Sequence, residues 1–204
     1  MHNLLFPRAG STLATLFEKS VEQTRLAFPN DEAYLLALSG LSSALEKIHN
    51  YSSELLGIQL IGLHHDIKPE NILVNWNRFL LSDFGLSRLK DAALSSRTPH
   101  RAGEGYYMAP ECELADKDFA NGVVSRPADV WSLGCIIADM VTYMALGPQG
   151  VKDFKARREV TIAGYLTTYT FHGGSQPNDN VATWLSELSQ ETLHIGKGLI
   201  QLVS

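Results

Sequence analysis

The stretch His64-His65-Asp66-Ile67-Lys68-Pro69-Glu70-Asn71-Ile72-Leu73, HHDIKPENIL, decides how the chain is read. It sets a carboxylate, a cation and an amide on one short polar run between aliphatic segments. Such groups can belong to a solvated loop or to a reactive one, and the flanking sequence separates the two. Ile58–Leu63 is an aliphatic run before it; residues 72–74 and 79–81 are two more after it, split by the polar turn Asn75-Trp76-Asn77-Arg78. That pattern predicts small strands and a hairpin that returns Asp83 toward the loop.

Further upstream, Tyr34, Leu35, Leu38, Leu41, Leu45 and Ile48 recur at three- and four-residue intervals, which predicts a helix over residues 31–50 with Asp31 as its cap. A second helix is predicted over 12–20, joined to the first by a Pro-containing loop. Beyond Ala128 the pattern is mostly helical, and HGGSQPNDN (172–180) reads as an ordinary connection. The apolar run from Val130 is interrupted by Asp139 and falls short of a comfortable bilayer span, so a buried helix is predicted and no membrane partner.

The chain has 204 residues, 45% of them hydrophobic, enough for one substantial core. A net charge of −5 lacks the basic footprint of a nucleic-acid binder, and no nucleic-acid partner is expected. Cys112 and Cys135 are too few and too far apart for a disulfide framework, which favours reduced thiols and an intracellular place, cytoplasmic or nuclear.

Phosphoryl transfer needs a carboxylate to accept the proton of the attacking hydroxyl, a cation near the moving phosphoryl oxygens, and oxygen ligands for magnesium. Asp66, Lys68, and the pair Asn71 with Asp83 can fill those roles in that order. The rival reading, a His64-His65 metal pair, lacks matching third and fourth ligands.

Four blocks stand in one order: LHHDIKPENILV (63–74), SDFGLS (82–87), YYMAPE (106–111) and ADVWSLGCIIADM (128–140). In these the chain resembles the eukaryotic protein kinase family, of serine/threonine type, and its His-His-Asp loop is similar to that of fungal kinase-like proteins. The resemblance implies Asp66 as catalytic base, Lys68 as phosphate neutraliser, and Asn71 and Asp83 as magnesium ligands, with ATP as cofactor and a protein as substrate. It further implies Leu73 under the adenine, His64 and Phe84 in a regulatory stack, Gly85 completing the Asp-Phe-Gly turn, and Asp129 anchoring the catalytic-loop backbone.

The sequence also departs from that pattern. His65 replaces the usual Arg; with an ordinary pKa near 6.5 about a quarter of it is charged at neutral pH, a poor clamp for a phosphate on Ser95, Ser96 or Thr98. Glu104 stands where a Thr is usual, and the linker between Asn50 and His64 is longer than is usual. No Gly-rich loop, strand lysine or helix glutamate precedes the first helix, whose only preceding glycine is Gly10. HIGKGLIQLVS (194–204) looks like a late helix, and Glu111 is expected to be solvated in place of pairing with its usual Arg.

The expectation is therefore a mainly α chain of an α+β family: a kinase-like large lobe, a helical bundle with short β-hairpins at the catalytic loop, and the small lobe absent. Residues 1–11 are read as a hinge remnant and 12–204 as a large lobe incomplete at its C-terminal end. Weak ATP and magnesium binding follow, with the missing lobe expected either from upstream sequence or from a partner chain. A non-catalytic, kinase-derived binding module is the alternative, and a degraded remnant the third possibility.

Overall fold

The computed structural model describes residues 8–91, 98–99, 105–112, 123–162, 166–174 and 176–191. Residues 1–7 of the hinge segment, Ser95, Ser96, Glu104 and the predicted helix over 194–204 lie outside the described residues.

Strand β1 (Ser11–Thr12) leads into helix α1 (Leu13–Phe17), whose Thr12 hydroxyl accepts the Thr15 N–H. A capping box at Ser20 and Gln23 opens α2 (Val21–Thr24), since each side chain satisfies the other residue's orphan amide. Helix α3 (Asp31–His49) buries Tyr34, Ala37, Leu38, Leu41, Leu45 and His49, one face at the predicted spacing. Its cap is Asn30, which accepts from Ala33 N–H, and not Asp31, which opens the first turn. Asp31 and Glu32 suit that end because they face the positive pole of the helix.

Two antiparallel three-stranded sheets follow. Strands β2 (Tyr51–Ser53) and β3 (Ile58–Leu63) form a hairpin completed by β6 (Arg88–Asp91), in the order β2-β3-β6. Strands β4 (Ile72–Asn75) and β5 (Arg78–Leu81) form the second hairpin, with β1 on its other side. Gly62 is where β3 crosses the end of α3: a Cβ there would lie 2.3 Å from the Ile48 carbonyl oxygen, so only glycine permits the approach.

The expected fold class is corrected here. The β structure is not confined to short hairpins at the catalytic loop: six strands in two sheets form an antiparallel β region ahead of the long helix, and the chain is α+β. The linker Tyr51-Ser52-Ser53-Glu54-Leu55-Leu56-Gly57 has no alternating pattern of its own and becomes strand by pairing Tyr51 with Leu60 and Ser53 with Ile58.

After β7 (Thr98–Pro99) and β8 (Val123–Val124), helix α4 (Arg126–Arg157) crosses the core. It bends at Gly147, which has φ 68°, just before Pro148. It is long and apolar enough to cross a membrane, but 61% of its most apolar window is buried in the fold. Phe28 stacks on Tyr34 at 4.3 Å, and Leu41, Ile72, Ile136 and Tyr143 are wholly buried beside them, joining α3, the β4–β5 hairpin and α4 into one core.

Two more hairpins, β9 (Val160–Ile162) with β10 (Leu166–Thr168) and β11 (His172–Gly173) with β12 (Gln176–Pro177), precede α5 (Asp179–Glu191). The segment 172–180 is thus more than a connection: His172 is buried, and Asn178 ties Arg158 O and Thr170 O together through its amide.

Candidate active site

Strand β3 delivers the chain to His64 and the α4 N-terminus supplies what holds it there. The Asp129 carboxylate, 2% exposed, accepts from His64 N–H and His65 N–H, both at 2.8 Å, and from His49 Nε2 at 2.9 Å. Burial pushes this carboxyl up, but the His49 bond, the two amide bonds and the charge of His49 together outweigh it, and its pKa lies below the ordinary 3.8. Anchored this way, His65 takes φ 69°, a left-handed conformation that a non-glycine residue holds only when its surroundings fix it.

The wholly buried His64 ring links the two halves of the site. Its Nε2 donates to Ser82 O at 3.1 Å, its Nδ1 accepts from Asp66 N–H at 3.3 Å, and Phe84 lies against it with ring centroids 4.9 Å apart. Both nitrogens are used by the neutral ring. Burial lowers its pKa below 6.5, and the charges of Asp129, Asp66 and Asp83 with the Ser82 carbonyl only partly restore it.

The short helix Pro69–Asn71 then turns Asn71 back. Its Nδ2 donates to Asp66 Oδ2 at 2.7 Å and to Asp66 O at 2.9 Å, while Lys68 Nζ reaches the same carboxylate oxygen at 2.9 Å. This fixes the amide orientation: nitrogen toward Asp66, oxygen away from it. The β4–β5 register, Ile72 opposite Leu81, brings the next residue into contact, and Ser82 N–H and Oγ both donate to Asn71 O at 2.9 Å.

Asp83 follows directly, exposed and at φ 60°, with Oδ1 accepting from Gly85 N–H. Gly85 fits because a Cβ there would sit 3.1 Å from that oxygen. The structure therefore brings Asp66, Lys68, Asn71, Asp83, His64, Phe84 and Asp129 together. Leu73 is half-buried in β4 opposite Thr12, and Glu111 is exposed, away from this cluster of bonds.

Sequence reasoning missed a second buried ionic centre. Arg158 Nη1 donates to Asp139 Oδ1 at 2.9 Å, the Tyr107 hydroxyl donates to Asp139 Oδ2, and the guanidinium packs over Phe154 and Phe171. Asp139 had registered only as a break in an apolar run. A carboxylate mid-way along a buried helix needs a cation, and that is the signal that could have led to Arg158. His49, at the far end of α3, was missed as well.

Among the described residues no cluster of three or more His, Cys, Asp or Glu could hold a metal. The donor set present is the Asp83 carboxylate and the Asn71 amide oxygen, hard ligands that suit magnesium completed by water and phosphate oxygens.

Residues 10–202 match the protein kinase domain family. The chain is 36% identical over 126 residues to the mitogen-activated protein kinase HOG1 of Wallemia muriae, covering 61% of this chain and 38% of that protein. It is 32% identical over 135 residues to the probable serine/threonine-protein kinase nek2 of Dictyostelium discoideum, covering 66% and 28% respectively. The chain thus spans well under half the length of these curated relatives. The match also corrects the expectation of a large lobe alone: it runs over nearly the whole chain and takes in the antiparallel β region of the N-terminal half. The chain belongs to the protein kinase domain family, with serine/threonine kinases among its relatives.

Proposed function

We propose that the chain carries phosphoryl transfer from ATP to a serine or threonine hydroxyl of a protein substrate. The observation that supports this most is the convergence of Asn71 Nδ2 and Lys68 Nζ on Asp66 Oδ2, at 2.7 and 2.9 Å, with Asp83 returned beside them by the hairpin. Asp66 Oδ2 is held by these two donors, so Oδ1 is the oxygen that takes the proton of the attacking hydroxyl. As the substrate hydroxyl oxygen bonds to the γ-phosphorus, the bond from that phosphorus to the bridging oxygen of ADP breaks, and the hydroxyl proton passes to Asp66 Oδ1. Lys68 then neutralises charge on the transferred group. Asp83 and the Asn71 amide oxygen would hold magnesium, which when bound neutralises the triphosphate. Leu73 forms an apolar floor for the base. An intracellular place, with Cys112 and Cys135 reduced and buried, belongs to the same reading.

Turnover by this polypeptide alone should be weak. The sequence contains no G-x-G-x-x-G run to cover the phosphates, and Phe84 beside the floor is 51% exposed. Incubation with γ-labelled ATP and a generic protein acceptor should give phosphoserine or phosphothreonine well below about 1 per second, abolished in Asp66→Asn. Turnover in the ordinary kinase range of about 1 to 100 per second overturns the weak-activity part. Incorporation that survives Asp66→Asn overturns the role of the base. The second reading, a non-catalytic binding module, draws support from the exposed Leu55, Leu56 and Leu89; it predicts partner binding untouched by Asp66→Asn.

A further inference from the structure

A groove of about 530 Å³ runs between the C-terminal end of α3 and the β2-β3-β6 sheet. Its walls are Ile48, Tyr51, Leu63, Phe84 and Leu89, and Leu89 and Tyr51 are 64% and 44% exposed. Two cations, Lys47 and Arg88, line it and no carboxylate does. Neither cation has an ion-pair partner among the described residues, and Arg88 Nε is a buried donor without an acceptor there. An unpaired buried donor beside exposed apolar surface calls for an occupant that is apolar and carries an acid.

The chain itself presents that chemistry. The tip of the β2–β3 hairpin is Glu54-Leu55-Leu56-Gly57, with Leu55 94% and Leu56 64% exposed and Glu54 solvated without an ion-pair partner among the described residues. Gly57, at φ 60°, lets the turn close tightly and project the two leucines. Neither leucine belongs to a hydrophobic cluster among the described residues. Tip and groove lie on one hairpin, so a two-fold axis lets each copy insert its tip into the groove of the other, with Glu54 meeting Lys47 and Arg88 in both directions.

We propose that the β2–β3 hairpin tip and the groove at the base of the same hairpin are the two halves of a symmetric interface between two copies of this chain. The proposal is independent of catalysis and stands or falls without nucleotide. Sedimentation velocity on the full chain over a range of concentrations should show a monomer–dimer equilibrium. Leu55→Ser with Leu56→Ser should weaken it at least tenfold while leaving the melting temperature in place, because both side chains are exposed. Glu54→Lys and Lys47→Glu should each weaken it similarly, and the two together in one chain should restore it. A chain that stays monomeric at every concentration overturns the proposal, as does a dimer indifferent to the leucine substitutions or a charge exchange that fails to restore association. Sedimentation of the monomer with phosphatidylserine vesicles, lost on Leu55→Ser with Leu56→Ser, would assign the tip to a membrane surface and equally overturn it.

Discussion

Asp129 and Asp139 stand on the same helix, both almost wholly buried, and their carboxyls are driven in opposite directions. Asp129 accepts two backbone amides and a histidine, and these more than offset burial. At Asp139 burial is the larger influence, and the Arg158 guanidinium and the Tyr107 hydroxyl pull its pKa back without cancelling the rise. The difference lies in what each carboxylate is used for. The first holds a loop by its main chain, so its donors are rigid and point at the charge. The second compensates a buried side-chain cation, and one ion pair in a low dielectric gains less than the desolvation of both partners costs.

The comparison breaks most sharply at Arg158. Arg158→Met leaves Asp139 buried without its cation and should cost about 3 to 5 kcal/mol in chemical denaturation. Adding Asp139→Asn should recover much of that loss, because no buried charge then remains. If the single change proves neutral, the pair is solvated and the contrast with Asp129 fails.

At the other end, Asp129→Asn turns an amide nitrogen toward donors that need an acceptor. Each lost hydrogen bond to a charged group is worth about 1.5 to 3 kcal/mol. The expected stability loss is nevertheless smaller than for Arg158→Met, since asparagine keeps one acceptor oxygen for the loop amides and no buried charge is left without its partner. The loop should show it more than the core does: hydrogen exchange at the His64 and His65 amides should accelerate, while exchange in the α3 core stays slow. Equal acceleration everywhere would mean that Asp129 is a general core residue and not an anchor.

Much of this was legible in the sequence. The α3 stripe from Tyr34 to Leu45 follows its predicted period because one face meets one core, a local rule. The HHDIKPENIL loop and the return of Asp83 were legible because strand lengths and the Asn75–Arg78 turn fix the hairpin register. What escaped depends on distant partners. Strand β2 exists only through β3. His49 meets Asp129 80 positions away, and Arg158, one of several cations around it in the sequence, is singled out only by Phe154, Phe171 and Asp139. The cap of α3 was misplaced by one residue, since Asn30 and Asp31 are both good caps and only the backbone at Asn30, extended at φ −151°, decides.

A finer test separates the His64 ring from the Asp129 carboxylate by pH. His64 is buried neutral with its pKa lowered, so the unfolded chain binds more protons below 6.5. Its contribution is present above 6.5 and is lost as pH falls through the lower folded value; the Asp129 contribution is lost the same way, at more acidic pH, below 3.8. Melting temperature should therefore fall in two stages on acidification. His64→Phe should flatten the first stage and leave the second. A single stage beginning only in the carboxylate range would show that His64 does not titrate with unfolding.

The account rests on Asp66, Asn71 and Asp83 sharing one pocket floor. Paramagnetic broadening of backbone amide signals by manganese, with a non-hydrolysable ATP analogue, tests it most directly. Broadening centred jointly on residues 66–71 and 82–85, and abolished by Asp83→Ala, is the predicted result. Broadening confined to one of the two segments, or unchanged in Asp83→Ala, would contradict it.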